Sequence, residues 1–345
     1  MRVVVVGGTG NISTGVVKAL LQFGHDVTVF SRGQRPSRLP PGVRYLTGDR
    51  QDRSAFERLM QAERFDAAID MICFNGADAD SAVRAFRGVQ HFIQTSTVST
   101  FGAPLPELPL DEASPLRPDT DYGRNKVAAD DVFLAAHARG DLPVTIFKPY
   151  FIWGLTFYIA RQLGADPRWI DRTRRGLPLL VVNDGATTMS HCHADDAGVA
   201  YGAAVGRSRC IGQTYLLASP HHISWREYHD QIADSIGRPV PLVDAPAEFL
   251  ITVWPENTRT LAVSHRWNHV MRIDKLRRDI PEFRAETPIS YQLPERIAWA
   301  TEHGQIRDAA SDDTEDRIIA AIDHLWATFG ANRSADASDQ SLLNP

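Results

Sequence analysis

No run among the 345 residues is long and apolar enough to cross a membrane, so a membrane-spanning role is not expected. Met1 leads at once into a strand-like run, and a secretory leader is not expected either. Cysteine is scarce: Cys73, Cys192 and Cys210 are too few and too scattered for a disulfide framework or a metal cluster, which fits a reducing cytoplasm. An excess of one charge is lacking too. The 37 Lys and Arg against 42 Asp and Glu leave −5, which speaks against nucleic acid as the main partner. There is no internal repeat. What remains is an ordinary apolar content, 43%, in a chain long enough for one large α/β domain or a core domain with a smaller lobe.

The first fifteen residues organise the rest. Val3 to Val6 is the β-branched run of a strand buried on both faces of a parallel sheet. Gly7, Gly8 and Gly10 follow, and Val16 to Phe23 reads as a helix with Val17, Leu20 and Leu21 inward. A strand, a glycine turn and a helix N-terminus let backbone N–H groups approach a pyrophosphate. Ser13 stands where a third glycine would, and its small side chain keeps close packing open. The same pattern also reads as a structural turn of another α/β protein.

The second strand, Val27 to Phe30, ends in Ser31-Arg32 where an NAD site usually carries an acid. Ser31 and Arg32, with Arg35 and Arg38 behind, would suit a 2′-phosphate and so NADP over NAD; they also read as solvated loop charges. A third strand ends in Gly48-Asp49-Arg50, where Asp49 could accept from an adenine amino group and Asp52 suits an N-cap. Further strands cover Phe65 to Ile72 and His91 to Thr97, with a helix from Ala77 to Arg87 between them. Past a hydroxyl-rich run and a proline-rich loop, a helix opens with Tyr122 and Lys126. Four residues apart, they share one face. A nearby ammonium lowers a phenol's pKa, and such a phenol can exchange a proton at a hydroxyl or carbonyl during hydride transfer. An exposed Tyr beside a solvated Lys is the plain alternative.

Together these pieces resemble the extended short-chain dehydrogenase/reductase family of NAD(P)-dependent epimerases, dehydratases and reductases. The resemblance is carried by Gly7-Gly8-Thr9-Gly10-Asn11-Ile12-Ser13, Gly48-Asp49, Phe92 to Gly102, Tyr122 with Lys126, Lys148 to Gly154, and Gly185 to Asp196, within residues 1–240. It implies a Rossmann-type doubly wound parallel sheet over 1–175, with elements returning from 176–240. It also implies a substrate lobe over 241–330, while 331–345, rich in Ala, Ser, Asp and Asn, reads as a frayed tail. It implies a triad of Thr97, Tyr122 and Lys126, with Ser96 and Ser99 as alternatives to Thr97. Cofactor contacts are expected from Gly7, Thr9, Gly10, Asn11, Ile12, Ser31, Arg32, Asp49, Arg50, Pro149 and Tyr150 as well as Tyr122 and Lys126. Ser99, Phe151, Trp153 and His191 are the candidates for substrate.

His191, Cys192 and His193 resemble a metal cluster, but on a strand the two histidines share a face opposite the cysteine, so no metal is expected. In the family this stretch is a strand entering a helix, with Asp195 or Asp196 as its cap.

Departures narrow the function. Val98-Ser99 replace the Asp-Glu of dehydratases, and Phe151 replaces the Asn that nucleotide-sugar enzymes usually carry. Epimerase-type chemistry on the secondary hydroxyl or ketone of a sugar-like small molecule is the expectation. An NADPH-dependent ketoreductase is the alternative. A third reading is a non-catalytic RNA-binding protein, because Phe147 to Ala200 is also similar to chloroplast stem-loop RNA-binding proteins. The family often pairs through the Tyr122 helix and Ala77 to Arg87, so a homodimer is expected. Ser224 with Glu227 forms a capping box and Gly237 a stop. Aromatic and basic residues gather from Trp254 through Arg259, His265, Arg266, Trp267, His269, Arg272, Lys275 and Arg277 to Arg278. They would recognise a polar or anionic ring, or form a solvated surface. Ile297, Ile318, Ile322 and Trp326 are expected in the core of two late amphipathic helices.

Overall fold

The computed structural model of the chain describes residues 1–34 and 39–336. Arg35, Arg38 and residues 337–345 of the expected tail lie outside the described residues. Residues 331–336 continue the last helix rather than fraying.

The chain forms two compact units. The first holds residues 1–157, 188–223 and 267–296, and the second holds 158–187, 224–266 and 297 onward. They interleave in sequence more than the expected boundary at 241: residues 224–240 fall in the second unit and 267–296 in the first. The expected aromatic and basic gathering is divided accordingly. Trp254, Arg259, His265 and Arg266 belong to the second unit, and Trp267, His269, Arg272, Lys275, Arg277 and Arg278 to the first.

In the first unit seven strands form a parallel sheet. They are β1 (Arg2–Val6), β2 (Asp26–Ser31), β3 (Arg44–Thr47), β4 (Ala67–Asp70), β5 (His91–Thr95), β6 (Val144–Pro149) and β7 (Thr214–Leu217), in the order β7-β6-β5-β4-β1-β2-β3. The order reverses between β1 and β4, the doubly wound pattern whose switch point opens a ligand crevice at the carboxyl ends of the strands. Alternation explains the valine run. Val3 and Val5 enter one core with Val16, Val17 and Leu20. Val4 and Val6 enter the other with Phe30, Phe56 and Met60.

Helix α1 (Asn11–Gln22) starts five residues before the expected Val16, because Gly10 already holds the extended N-cap conformation. Helices α2 (Arg53–Glu63), α3 (Gly76–Ala85), α4 (Asp121–Ala138) and α5 (Ala194–Ala204) complete the layers. Asp52 caps α2 through Ala55 N–H, as its type predicts. Against α5, the backbones touch where a Cβ on Gly15 would lie 2.0 Å from the Ala194 carbonyl oxygen. Gly15 therefore lets the two helices meet backbone to backbone, while small Ser13 is buried at the turn. The Ser13 hydroxyl donates to Gly7 O at 2.7 Å and ties the turn to its helix.

In the second unit, Leu163, Leu180, Leu250, Trp254, Ile318 and Ile319 share a core. The helix Trp225–Ile236 begins with the Ser224–Glu227 capping box and stops at left-handed Gly237. Buried Arg161 holds Glu315 at 2.6 Å and Asp166 at 3.3 Å, and Arg172 holds Asp316 at 2.6 Å. These pairs anchor the start of the helix Thr314–Asp336. Ile318 and Ile297 are buried as expected and Ile322 is half-buried, but Trp326 is 67% exposed. The helix outruns the apolar core that receives its first turns.

Candidate functional site

The carboxyl ends of β1, β2 and β4 and the turn after β3 line a cleft of about 480 Å³ in the first unit. Its walls include Gly7, Thr9 and Gly10 of the turn, Ser31 and Arg32 after β2, and Asp49. A volume of this size lies within the usual range for small-molecule and cofactor sites. Three features fit a dinucleotide. Gly7 has φ +80°, and a Cβ there would lie 2.6 Å from Ile72. No side chain caps the first turn of α1, so its amino end is left to an anion. Half-buried Asn11 donates from Nδ2 to Ile152 O at 3.0 Å and ties that amino end to the segment after β6. Ile12 packs half-buried against the core below.

Asp49 is exposed and accepts from Gln51 N–H at 2.9 Å. Arg50, expected at the cofactor, lines the same cleft, and one edge of its guanidinium is anchored inside the fold. It pairs with buried Asp70 at 3.4 Å, donates to Asp78 O at 2.6 Å and lies 4.4 Å over the Phe56 ring. Burial pushes the Asp70 carboxyl up, and Arg50 opposes that push. Phe74, Ile72, Gly33, Gln34 and Gln51 also line the cleft and were not among the expected residues. They sit where strands end, so the rule that ligands bind at the carboxyl ends could have found them.

The second group gathers around the start of α4. Thr120 caps the helix by accepting from Gly123 N–H at 3.1 Å. Gly123 is required by close approach: a Cβ there would lie 2.4 Å from Ser99 O. The approach sets Tyr122 beside the short helical turn Val98–Phe101, which Thr97 caps by accepting from Ser99 N–H at 3.2 Å. The Thr97 hydroxyl also donates to Ser99 Oγ at 3.3 Å. Burial pushes the Tyr122 phenol above its ordinary value, and a hydrogen bond with Thr97 opposes the push. Lys126 is buried, with Nζ donating at 2.7 Å to both Cys73 O and Thr95 O. It lies 6.0 Å from the Tyr122 ring and 5.0 Å from the Phe74 ring. The expected net lowering of the phenol is not found: desolvation outweighs the hydrogen bond with Thr97, and Lys126, 6.0 Å from the ring, is not among the causes of the shift.

Beneath the turn lies a buried ion pair that the sequence did not reveal. Lys148 Nζ on β6 meets Asp130 Oδ2 of α4 at 2.6 Å and donates to Thr100 Oγ1 at 3.0 Å. Ser96 Oγ donates to the same Asp130 oxygen at 2.6 Å. Thr100 Oγ1 in turn donates to Thr97 O at 2.9 Å, so the pair underpins Thr97. Ser96 thus belongs to this buried support.

At the end of β6 Pro149 is half-buried, and the next residue, Tyr150, stacks on His269, 4.8 Å between ring centres and 7° apart in plane. Phe151 is half-buried. Trp153 and His191 are corrections: both are buried and paired with each other, Trp153 Nε1 donating to His191 Nδ1 at 3.3 Å. Burial holds the His191 imidazole down to about 4. The cap of α5 is also corrected. His193 accepts from Asp195 N–H at 3.2 Å, and Asp195 pairs with Lys18 at 3.1 Å. Among the described residues no group of three metal-ligating side chains converges, and no helix is long and apolar enough to cross a membrane.

The NAD dependent epimerase/dehydratase family matches residues 3–218. A 2′-dehydrokanamycin reductase of Streptomyces kanamyceticus is 34% identical over 335 residues, covering 97% of this chain and 92% of its own length. A 2-alkyl-3-oxoalkanoate reductase of Stenotrophomonas maltophilia is 28% identical over 267 residues, 69% of this chain and 77% of its own length. Among solved structures, an epimerase from Methanothermobacter thermautotrophicus has a TM-score of 0.70 at 18% identity, over 88% of this chain and 93% of the other. At that identity the likeness speaks for the fold.

Proposed function

Because the chain belongs to the NAD dependent epimerase/dehydratase family, and is an oxidoreductase-type enzyme of that family, we propose that it reduces a ketone on a sugar-like ring to a secondary alcohol. The observation that carries the reading is the placement of Tyr122 beside Thr97 at the start of α4, with Lys126 Nζ 6.0 Å from its ring. A phenol is protonated at neutral pH and can act as the acid that a ketone reduction needs, and the reductase relative supports that direction. The bound reduced nicotinamide would supply the hydride to the carbonyl carbon. Tyr122 gives its proton to the carbonyl oxygen, and the phenolate recovers one from solvent. Thr97 shares the hydrogen bond on the reacting oxygen. An ammonium has three donors, and Lys126 has two of them on Cys73 O and Thr95 O. Its third would meet a ribose hydroxyl, and its charge would favour the transient phenolate.

The finer cofactor reading is NADP. Arg32 is exposed at the cleft wall beside Ser31, where a 2′-phosphate would take charge-assisted hydrogen bonds. The relative from Streptomyces kanamyceticus, a 2′-dehydrokanamycin reductase by name, supports a ring ketone on an amino-sugar scaffold as the substrate class. Three buried free thiols suit a cytoplasmic enzyme. Pairing of two copies through α3 and α4 is the oligomer this reading carries. A redox-neutral epimerase is the second reading, supported by the family match; it would keep its cofactor and consume none.

The test follows NADPH absorbance with 2′-dehydrokanamycin as substrate. We expect stoichiometric NADPH loss, and about 10²–10⁴-fold slower turnover in Tyr122→Phe with NADPH affinity retained. Undiminished turnover in Tyr122→Phe would overturn the assignment.

A further inference from the structure

The buried Lys148–Asp130 pair is bonded unevenly. Asp130 Oδ2 takes two donors, Lys148 Nζ at 2.6 Å and Ser96 Oγ at 2.6 Å. Asp130 Oδ1 is buried with no hydrogen-bond partner among the described residues. Stability alone does not explain such an arrangement. Taking two charges out of water is costly, and apolar residues of the same volume are often as stable. An unpaired buried oxygen adds to that cost. The remaining bond of the pair leads toward the reacting groups. Lys148 Nζ donates to Thr100 Oγ1 at 3.0 Å, and Thr100 Oγ1 donates to Thr97 O at 2.9 Å.

The donor types give this chain of bonds one direction. An ammonium can only donate, and a threonine hydroxyl has one proton. With Lys148 on its oxygen, the Thr100 proton is left for Thr97 O. Thr97 O also accepts from Thr100 N–H at 3.3 Å, so both of its lone pairs are taken. A fixed carbonyl fixes the plane of the peptide it belongs to. Threonine is stiff at χ1, so a fixed backbone aims its hydroxyl. That hydroxyl accepts from Ser99 N–H at 3.2 Å and shares a hydrogen bond with Tyr122. Tyr122, Lys126 and Asp130 recur at four-residue steps on α4, so the carboxylate that holds Lys148 rides on the same helix as the phenol. The path from Tyr122 along α4 to Asp130, Lys148, Thr100 and Thr97 returns to Tyr122.

We propose that Asp130, Lys148 and Thr100 are positioning residues for the reaction: the buried pair orients the Thr100 hydroxyl, and that hydroxyl holds Thr97 in line with Tyr122 at the reacting oxygen. The three act through Thr97 and not by contact with substrate or cofactor. The inference rests on the reading above that Tyr122 and Thr97 work together on that oxygen.

The test uses the full chain with NADPH and 2′-dehydrokanamycin, in wild type, Thr100→Val, Thr100→Ser and the double replacement Asp130→Leu with Lys148→Met. Valine keeps the volume of Thr100 and removes its hydroxyl, whereas serine keeps the hydroxyl. The double replacement removes both charges and fills their space, so it keeps the fold without the orienting ammonium. We expect Thr100→Val and the double replacement to bind NADPH as wild type does and to hold KM within about twofold, while kcat falls about tenfold or more. Thr100→Ser should keep kcat within about threefold of wild type. A pair that serves stability alone predicts otherwise. Wild-type kcat in Thr100→Val, or in a double replacement that melts like wild type, would overturn the proposal. So would a loss carried by KM or NADPH affinity in place of kcat. A wild type that does not turn over 2′-dehydrokanamycin would instead remove the underlying functional reading. Amide hydrogen exchange would then still decide the hold on Thr97: the Ser99 and Thr100 amides should exchange faster in Thr100→Val than in wild type, and equal exchange would sink it.

Discussion

At Tyr122 two effects oppose each other, and their balance sets the side of the ordinary value on which the phenol titrates. Burial raises the phenol, and the hydrogen bond with Thr97 draws it back. Burial also lowers the Lys126 ammonium, which is spent on two carbonyls. The sign follows. A raised phenol keeps its proton through neutral pH, so ketone reduction should be flat there and fall only where the phenol ionises, on the alkaline side of a free tyrosine's range near 10. Alcohol oxidation, which needs the phenolate, should rise toward that same pH. A pH profile of both directions measures this. A reduction rate already falling between pH 6 and 8 would mean that Tyr122 is not the acid. The spacing of Tyr122 and Lys126 was legible in the sequence, but the direction of the shift was not. It depends on what surrounds the phenol, and Thr97 reaches it from another element.

At the scale of elements, the site is a turn pinned between a strand and a helix. Thr97 caps the turn Val98–Phe101, Gly123 lets α4 approach it, and the Lys148–Asp130 pair closes the space beneath. Both charges are almost wholly buried. Removing one partner leaves the other uncompensated, which typically costs about 3–5 kcal/mol. Asp130→Ala should therefore unfold well below wild type in denaturant melts. The paired replacement Asp130→Leu with Lys148→Met should recover much of the loss, because it removes both charges while filling the volume. Equal stability of Asp130→Ala and wild type would show that the pair carries little. Caps and stops were readable here because they are local: Asp52, Ser224 with Glu227, and Gly237 act within one turn of chain. The cap of α5 was misassigned to Asp195 or Asp196. The imidazole of His193 is longer than the usual capping side chains, and only its bond to Asp195 N–H in the folded chain reveals it.

At the scale of the molecule, the parallel sheet and its switch point put the glycine turn and the ends of β2 and β4 around one cleft. Helices α3 and α4 pack side by side in the same unit, and Leu134 on α4 is 42% exposed. If two copies pair through these helices, light scattering should return about twice the 38.3 kDa of one chain. A mass of one chain would remove the pairing.

The sequence by itself determined what nearest neighbours along the chain decide. The valine run and its glycine turn specify β1 and the amino end of α1. The four-residue step specifies that Tyr122 and Lys126 share a helical face, and continuous β-branched and apolar runs specify the strands of the sheet. These follow from backbone sterics, period and caps, which act over one or two turns. Tertiary structure alone decided the partners. Arg50 is drawn to Asp70, twenty residues away, and Trp153 to His191, because a buried charge or indole N–H must be satisfied wherever the fold offers a partner. Tyr150 meets His269 across more than a hundred residues. Trp326 stays exposed because the helix outlasts its core. Phe151 takes left-handed backbone because three neighbouring segments hold it there, a constraint that no local preference of phenylalanine records.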